Sequence, residues 1–172
     1  KNDYITFVDN LLKEKLDNNI TIFNNPNYEL VLFDDLSLMI ERLQKMENKF
    51  GLCRSMSGYS WPWVSKTDAN LPDAIIDGVK MFWNRKSIDW INSTTDVTEM
   101  GCIHTVQGYD LNYSGIIFGE EITYDKNSKK IKIIKNNYHD IKGKQALENE
   151  DELLKYIVKI YKTMMYRGIK GT

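Results

Sequence analysis

The residue types and spacings best suited to chemistry lie in one stretch, Gly101-Cys-Ile-His-Thr-Val-Gln-Gly-Tyr-Asp-Leu-Asn-Tyr-Ser-Gly-Ile-Ile-Phe-Gly119. A strand over Gly101 to Thr105 would bring His104 and Thr105 to the C-terminal edge of a sheet, where open α/β folds place their ligands. Gln107 and Gly108 then turn the chain. Gly108 has no Cβ, so a phosphate or sugar can approach its backbone closely. Asp110 is an acceptor fit for a ribose hydroxyl, or a group that orients a neighbouring arginine. The same stretch also reads as a strand, a turn and a second strand with incidental polar residues. Residue types alone leave both readings open.

Elsewhere the candidates are sparser. Taken alone, Arg167 is a cation favoured by the dipole at the end of a helix. Trp61 and Trp63 suit the stacking of single-stranded bases, although Pro62 between them also fits a rigid turn that plugs a long loop onto the domain. Cys102 and His104 point the same way on a strand, and Cys53 is the other cysteine that could join them. Zinc would still need a fourth ligand, and no paired Cys/His spacing exists, so no metal site is expected. Glu120, Glu121 and Lys132 imitate a nuclease carboxylate–lysine set, a chance pattern on exposed hairpins. No Gly-x-x-x-x-Gly-Lys-Ser/Thr occurs in the sequence, so no phosphate cradle of that kind is expected here.

The elements that would position these residues follow from periodicity. Tyr4, Phe7, Val8, Leu11 and Leu12 repeat at helical spacing. A loop containing Asn18, Asn19, Asn24, Asn25 and Pro26 follows, then a strand over Tyr28 to Phe33. Asp34 or Asp35 caps a helix carrying Leu36, Met39, Ile40, Leu43 and Met46. Gly51 to Ser55 is a short strand, and Ser57 to Pro72 is a long ordered loop, too aromatic to be disordered. Strands are expected at Gly101 to Thr105 and Gly115 to Gly119. Glu121 to Tyr124 and Lys130 to Lys135 flank Asp125-Lys126-Asn127-Ser128 as a hairpin. A last helix begins at Asn149 with Glu152 completing a capping box, and Leu153, Leu154, Ile157, Val158 and Tyr161 form its apolar face. Alternating helices and buried-type strands indicate an α/β sheet with helices on both faces.

At 172 residues, with 42% hydrophobic and 27% charged residues, the chain is one ordinary globular domain's worth with a sizeable core. Two cysteines make no disulfide framework, which fits a reducing, cytoplasmic setting. No apolar run is long enough to span a membrane, and no signal peptide opens the chain. The net charge of -1 is neutral on nucleic acid, but its distribution is uneven. Seven lysines and one acid, Asp140, lie between Lys126 and Lys144, and the sign reverses from Glu148 to Glu152. The lysine run reads as a solvated hairpin edge or as a phosphate-contacting surface. The chain opens at Lys1 without methionine and stops at Thr172 after an apolar helix, where a further strand is expected. It reads as a piece excised from a longer polypeptide.

His104-Thr-Val-Gln-Gly-Tyr-Asp110 resembles motif V of superfamily one helicases, and Glu99 to Gly119 resembles the Schlafen-group-like DNA/RNA helicase domain family. Arg54 to Trp63 is similar to that family's motif IV region, and Tyr161 to Thr172 to its motif VI. The resemblance covers the chain from about Tyr4 onward. It implies a RecA-like, P-loop NTPase-like three-layer sheet with a small β-hairpin. The chain would be the second, C-terminal RecA-like domain over residues 1–172, lacking Walker A and B. Arg167 would be the arginine finger, beside a γ-phosphate whose charge spreads in the transition state. Gln107, Gly108 and Asp110 would line the nucleotide cleft, with Arg54 as a second phosphate contact. His104, Thr105, Trp61 and Trp63 would face the nucleic-acid strand. ATP and Mg2+ would be held mainly by a preceding P-loop domain of the same chain, and single-stranded DNA or RNA would be the track. On this reading the full-length protein is an ATP hydrolase and helicase, and the fragment alone is inactive. A RecA-like binding module without motor activity is the alternative. Tyr166 stands where the family has threonine, which puts the local hydrogen bonding in question.

Overall fold

The computed structural model describes residues 2–13, 23–86, 88–147 and 149–172. Asn18 and Asn19 of the expected loop, and Glu148, lie outside them. Helix α1 (Asn2–Leu11) matches the first periodic run, and α2 (Leu36–Phe50) the second. Asp35 caps α2: its Oδ1 accepts from Ser37 N at 2.7 Å and Leu38 N at 3.4 Å, a contribution of about 1 kcal/mol. The last long helix, α6 (Glu150–Met165), is capped by Asn149, whose Oδ1 accepts from Glu152 N at 2.8 Å. Acidic Glu150, Asp151 and Glu152 occupy its first turn, the favourable end of the dipole.

The strands form one mainly parallel layer. Strand β1 (Cys53–Ser57) pairs in parallel with β5 (Leu111–Ile117), and β5 in parallel with β8 (Gly168–Gly171). Strands β2 (Ala74–Ile76) and β3 (Val79–Trp83) are an antiparallel hairpin, and β3 runs parallel to β4 (Glu99–Met100). Gly101 then joins the two groups. It bridges Met56 in parallel, donating to Ser55 O at 3.0 Å and accepting from Ser57 N at 3.1 Å. On the far side Glu29 bridges Gly171. The order across the layer is therefore β2, β3, β4, β1, β5, β8 and the Glu29 segment. Strands β6 (Ile122–Asp125) and β7 (Lys130–Ile133) make the expected separate hairpin.

With the short helices α3 (Trp90–Ser93) and α5 (Ile141–Ala146) between the longer ones, helices cover both faces. Leu43 of α2 packs with Cys53 and Val97, and Leu36 with Met81, Trp83, Met100 and Ile117. On the other face α1 and α6 bury Tyr4, Val8, Leu153, Ile157, Tyr161 and Met164 with Met56 and Leu111. Each fully buried aliphatic side chain contributes roughly 1.5–3 kcal/mol. This is a three-layer mixed α/β fold, as the alternation of elements implied.

Several boundaries moved. The strand expected at Gly101 to Thr105 ends at Gly101, and Ile103–Val106 is a single helical turn, α4. Tyr28 to Phe33 is an extended edge segment rather than a full strand, with Glu29 N donating to Lys170 O at 2.8 Å and Val31 N to Thr172 O at 3.1 Å. Strand β1 starts two residues later than expected, and β5 starts at Leu111 rather than Gly115. The strand anticipated beyond the last helix is Gly168–Gly171 itself. The β2–β3 hairpin was not anticipated. Its turn is Asp77-Gly78, both at positive φ (48° and 78°), the two-residue geometry that matches the twist of a hairpin.

Candidate functional site

The chain crosses from β4 to β5 through a polar turn, Gln107-Gly108-Tyr109-Asp110. Gly101 makes the approach possible, because a Cβ there would lie 2.6 Å from the Trp90 ring and 2.9 Å from Val106. Thr105 closes α4: its Oγ1 accepts from Cys102 N and donates to Cys102 O, both at 2.9 Å. With Val106 buried beneath it, this turn is fixed. Gln107, Gly108 and Asp110 are exposed. Gly108 adopts φ 85°, and nothing lies within 4 Å of where its Cβ would be. The backbone is therefore open to a close ligand.

Arg167 meets this turn. Leu111 N, directly after Asp110, donates to Arg167 O at 2.9 Å. Arg167 follows the C-terminus of α6, and its Nε donates to Thr163 O at 3.2 Å. That bond anchors the half-buried guanidinium by one nitrogen. Among the described residues no carboxylate pairs with it. The Arg167 backbone, two exposed acceptors and an open glycine backbone thus share the edge where β5 and β8 begin, with the guanidinium held one helical turn back at Thr163 O. This arrangement can bind a phosphate or a ribose. It lies at the strands' N-terminal edge, opposite the edge expected from the sequence, because the crossover carries Gln107 to Asp110 back across the sheet.

Tyr166 explains the local departure from the helicase pattern. Its hydroxyl donates to Asp9 Oδ1 at 2.9 Å, and Lys162 Nζ donates to the same atom at 2.9 Å. The hydrogen bond from Lys162 holds the Asp9 carboxyl below its usual range, whereas burial and the Asp9 bond push the Tyr166 phenol up. Together they tie the end of α6 to α1, so the segment carrying Arg167 is braced from behind.

The other candidates are elsewhere. Arg54 is buried in β1: Nη1 lies 2.9 Å from Glu47 Oε1 and donates to Cys53 O at 2.8 Å, and Nη2 donates to Ile91 O at 2.7 Å. Its Nε is buried without a partner. To touch a phosphate it would have to break that ion pair. Thr105 is buried and its hydroxyl is spent on Cys102, while His104 beside it is exposed. Trp61 and Trp63 lie in the loop after β1, at the opposite edge from Arg167. Trp61 packs against the cluster around Trp83 and Met100, and Trp63 stands edge-on to Trp83 at 5.3 Å. Tyr59 stacks on Trp83 at 4.3 Å. These contacts are those of a plug. The nuclease-like set is dispersed too, since Glu121 is wholly buried against Tyr161 and Lys132 pairs with Asp125.

The burial of Glu47 and Glu121 was not foreseen from the sequence. Glu47 falls four residues after Leu43 on the apolar face of α2, which is a visible signal for a buried partner. Glu121 accepts from Tyr161 Oη, which itself accepts from Gly119 N at 3.2 Å, and Glu121 Oε2 is unpartnered. Only the glycines at positions 58 and 119, where a Cβ would collide with this cluster, hinted at it.

Residues 1–172 match the family described as Schlafen group 3, DNA/RNA helicase domain. The chain belongs to this family. It is also similar to the uncharacterized protein YPL245W of Saccharomyces cerevisiae, 30% identical over 154 residues, covering 84% of this chain and 34% of that protein. The chain thus spans about a third of the length of this relative. No solved structure matches. Among the described residues no helix is long and apolar enough to cross a membrane.

Proposed function

We propose that this Schlafen group 3 helicase domain is the second, RecA-like half of an ATP-driven nucleic-acid motor. The observation that carries the reading is the junction of the Gln107–Asp110 turn with Arg167 through the Leu111–Arg167 backbone bond. In this reading ATP and Mg2+ sit on a P-loop domain elsewhere in the same polypeptide. Gln107, Gly108 and Asp110 close over the nucleotide, and Arg167 reaches the γ-phosphate. A guanidinium there stabilises the charge that spreads over the transferring phosphoryl oxygens. Its tether to Thr163 O uses only Nε and leaves the terminal nitrogens for a phosphate, and the Tyr166–Asp9–Lys162 brace ties the end of α6 to α1. Closure and release of the two halves would then move single-stranded DNA or RNA, with exposed His104 the nearest candidate contact. Arg54 is held in its ion pair with Glu47 as folded, so Arg167 is the cation this reading assigns to the phosphate.

The test is nucleic-acid-stimulated ATP hydrolysis by a polypeptide that carries this domain with its P-loop half. Arg167→Ala is expected to lower kcat roughly a thousandfold or more with the fold intact. Unchanged turnover would mean that the arginine is not the finger, and that the domain is a RecA-like module that holds nucleic acid or protein without driving a cycle.

A further inference from the structure

Phe50, the last residue of α2, stands 38% exposed where β1 and β5 begin. Its ring leans on that of Tyr113, with centroids 5.7 Å apart and planes tilted by 31°. Tyr113 lies on the α2 side of β5, like Gly115, where a Cβ would meet Leu43 at 2.9 Å and Met39 at 3.2 Å. The Arg167 guanidinium is anchored along α6, on the other side of the sheet. Two ammonium groups converge on the Phe50 ring. Lys49 Nζ is 4.9 Å from its centroid, and Lys170 Nζ, from β8, is 5.5 Å away. Among the described residues neither lysine pairs with a carboxylate. Glu29 is engaged with Arg42, and Glu47 with Arg54.

The backbone holds this ring out. Asn112 Nδ2 donates to Phe50 O at 3.1 Å and to Gly51 O at 3.0 Å, and Asn112 N donates to Leu52 O at 2.8 Å. Gly51 N donates to Glu47 O at 2.8 Å. Gly51 and Leu52 both take left-handed backbone, with φ 68° and 51°. For leucine that conformation is strained, and its 43% exposed side chain gains little from burial in return. Core packing therefore does not account for the shape of this loop. Trp61 and Trp63, the residues expected to stack bases, pack instead against the cluster around Trp83.

We propose that Phe50 is a stacking platform for a base of single-stranded nucleic acid, with Lys49 and Lys170 taking the adjoining phosphates. An aromatic face beside unpaired cations is the combination that holds single strands without reading their sequence. An ammonium over an exposed ring is weakly held. An incoming base displaces it, and the phosphate next to that base receives it. Duplex bases are already stacked on one another and offer the ring no face, so the platform selects single strands. Base and phosphate are common to DNA and RNA, and both are accepted. The inference rests on the nucleic-acid part of the proposed function and is independent of how ATP is hydrolysed.

The probe is a fluorescein-labelled oligothymidylate titrated into the 172-residue chain at low salt and read by anisotropy. Phe50→Leu keeps an apolar side chain without a ring, and is expected to weaken binding about tenfold or more, whereas Phe50→Trp should retain it. Lys49→Gln and Lys170→Gln should each flatten the slope of log affinity against log salt by about 0.7, one phosphate contact on a single strand. Thermal melts of the four variants should match the parent chain, since all three side chains lie at the surface. Equal affinity of Phe50→Leu and the parent chain would overturn the platform and leave the nucleic-acid reading standing. No binding by the parent chain would sink that reading and the platform with it. A loss of ATP affinity in Phe50→Leu with strand affinity unchanged would assign the ring to the nucleotide, and the proposal would fall.

Discussion

A guanidinium taken out of water needs a carboxylate and a full set of acceptors, and Arg54 has nearly both. Glu47 supplies the charge, Cys53 O and Ile91 O supply acceptors, and Glu47 Oε2 accepts from Cys53 N at 2.7 Å. The pair therefore ties the last turn of α2 to β1 and to the segment at Ile91. Removing one partner of such a pair strands the other charge, at about 3–5 kcal/mol, whereas replacing both by apolar groups is often close to neutral. Arg54→Met alone and Glu47→Leu alone are each expected to lower the unfolding free energy read from urea titration by an amount on that scale, and the double variant to recover most of it. A double variant as unstable as the singles would show that the pair is not what matters. Arg167→Ala should behave differently, because its guanidinium is half-exposed and gives up one backbone bond. Its loss of stability is expected to stay within about 1 kcal/mol, so a catalytic defect would not be a folding defect in disguise.

The crossover from β4 to β5 is the element on which the site depends, and its two glycines do different work. At Gly101 an added methyl meets the buried Trp90 ring at 2.6 Å, and a ring packed in the core cannot retreat cheaply. Gly101→Ala is expected to cost about 1–3 kcal/mol by overpacking, and thermal melts of the purified chain would read it. Gly108→Ala meets no neighbour but holds a left-handed φ, at about 1–2 kcal/mol. In the two-domain protein it should also raise the KM for ATP, since the methyl sits where a ligand would touch backbone. A Gly108→Ala variant with unchanged KM would remove the turn from the nucleotide site. The sequence made part of this element legible. Helical spacing revealed α1, α2 and α6, and the Gly101 to Gly119 run marked the turn. It did not reveal where β4 stops, because Cys102 to Val106 is apolar enough to pass for strand, and only the Trp90 packing and the Thr105–Cys102 bonds curl it into a helix. The β2–β3 hairpin was legible in principle from Asp77-Gly78. The burial of Arg54 was not, since its partner lies seven residues away on another element.

On the scale of the whole molecule the question is whether the layer behaves as one body. The β2–β3–β4 group touches the β1–β5–β8 group through the Gly101–Met56 bridge, and Trp83 Nε1 donates to Ser57 O at 3.3 Å across the same seam. Two main-chain bonds, the indole bond and the side-chain bonds from Ser55 Oγ to Val97 O and from Arg54 Nη2 to Ile91 O still make a thin hydrogen-bonded seam. Yet the clusters on either side share Tyr59, Ile40 and the length of α2, so apolar burial should make the two groups unfold together. The two cysteines report on this. Both are free and buried, Cys53 in β1 between Leu43 and Val97, and Cys102 with Met100 and Trp83. Burial also pushes the Cys53 thiol up to about 11, which makes it unreactive at neutral pH until water reaches it, because the thiolate is the nucleophile. If the layer is one cooperative unit, a thiol reagent at pH 8 should label Cys53 and Cys102 at a common rate. That rate should rise with urea in step with the loss of circular dichroism. Should Cys102 label at least tenfold faster than Cys53 in the absence of urea, the β2–β3–β4 group opens by itself. The crossover that begins at Cys102 would then be the part of the candidate nucleotide site able to move.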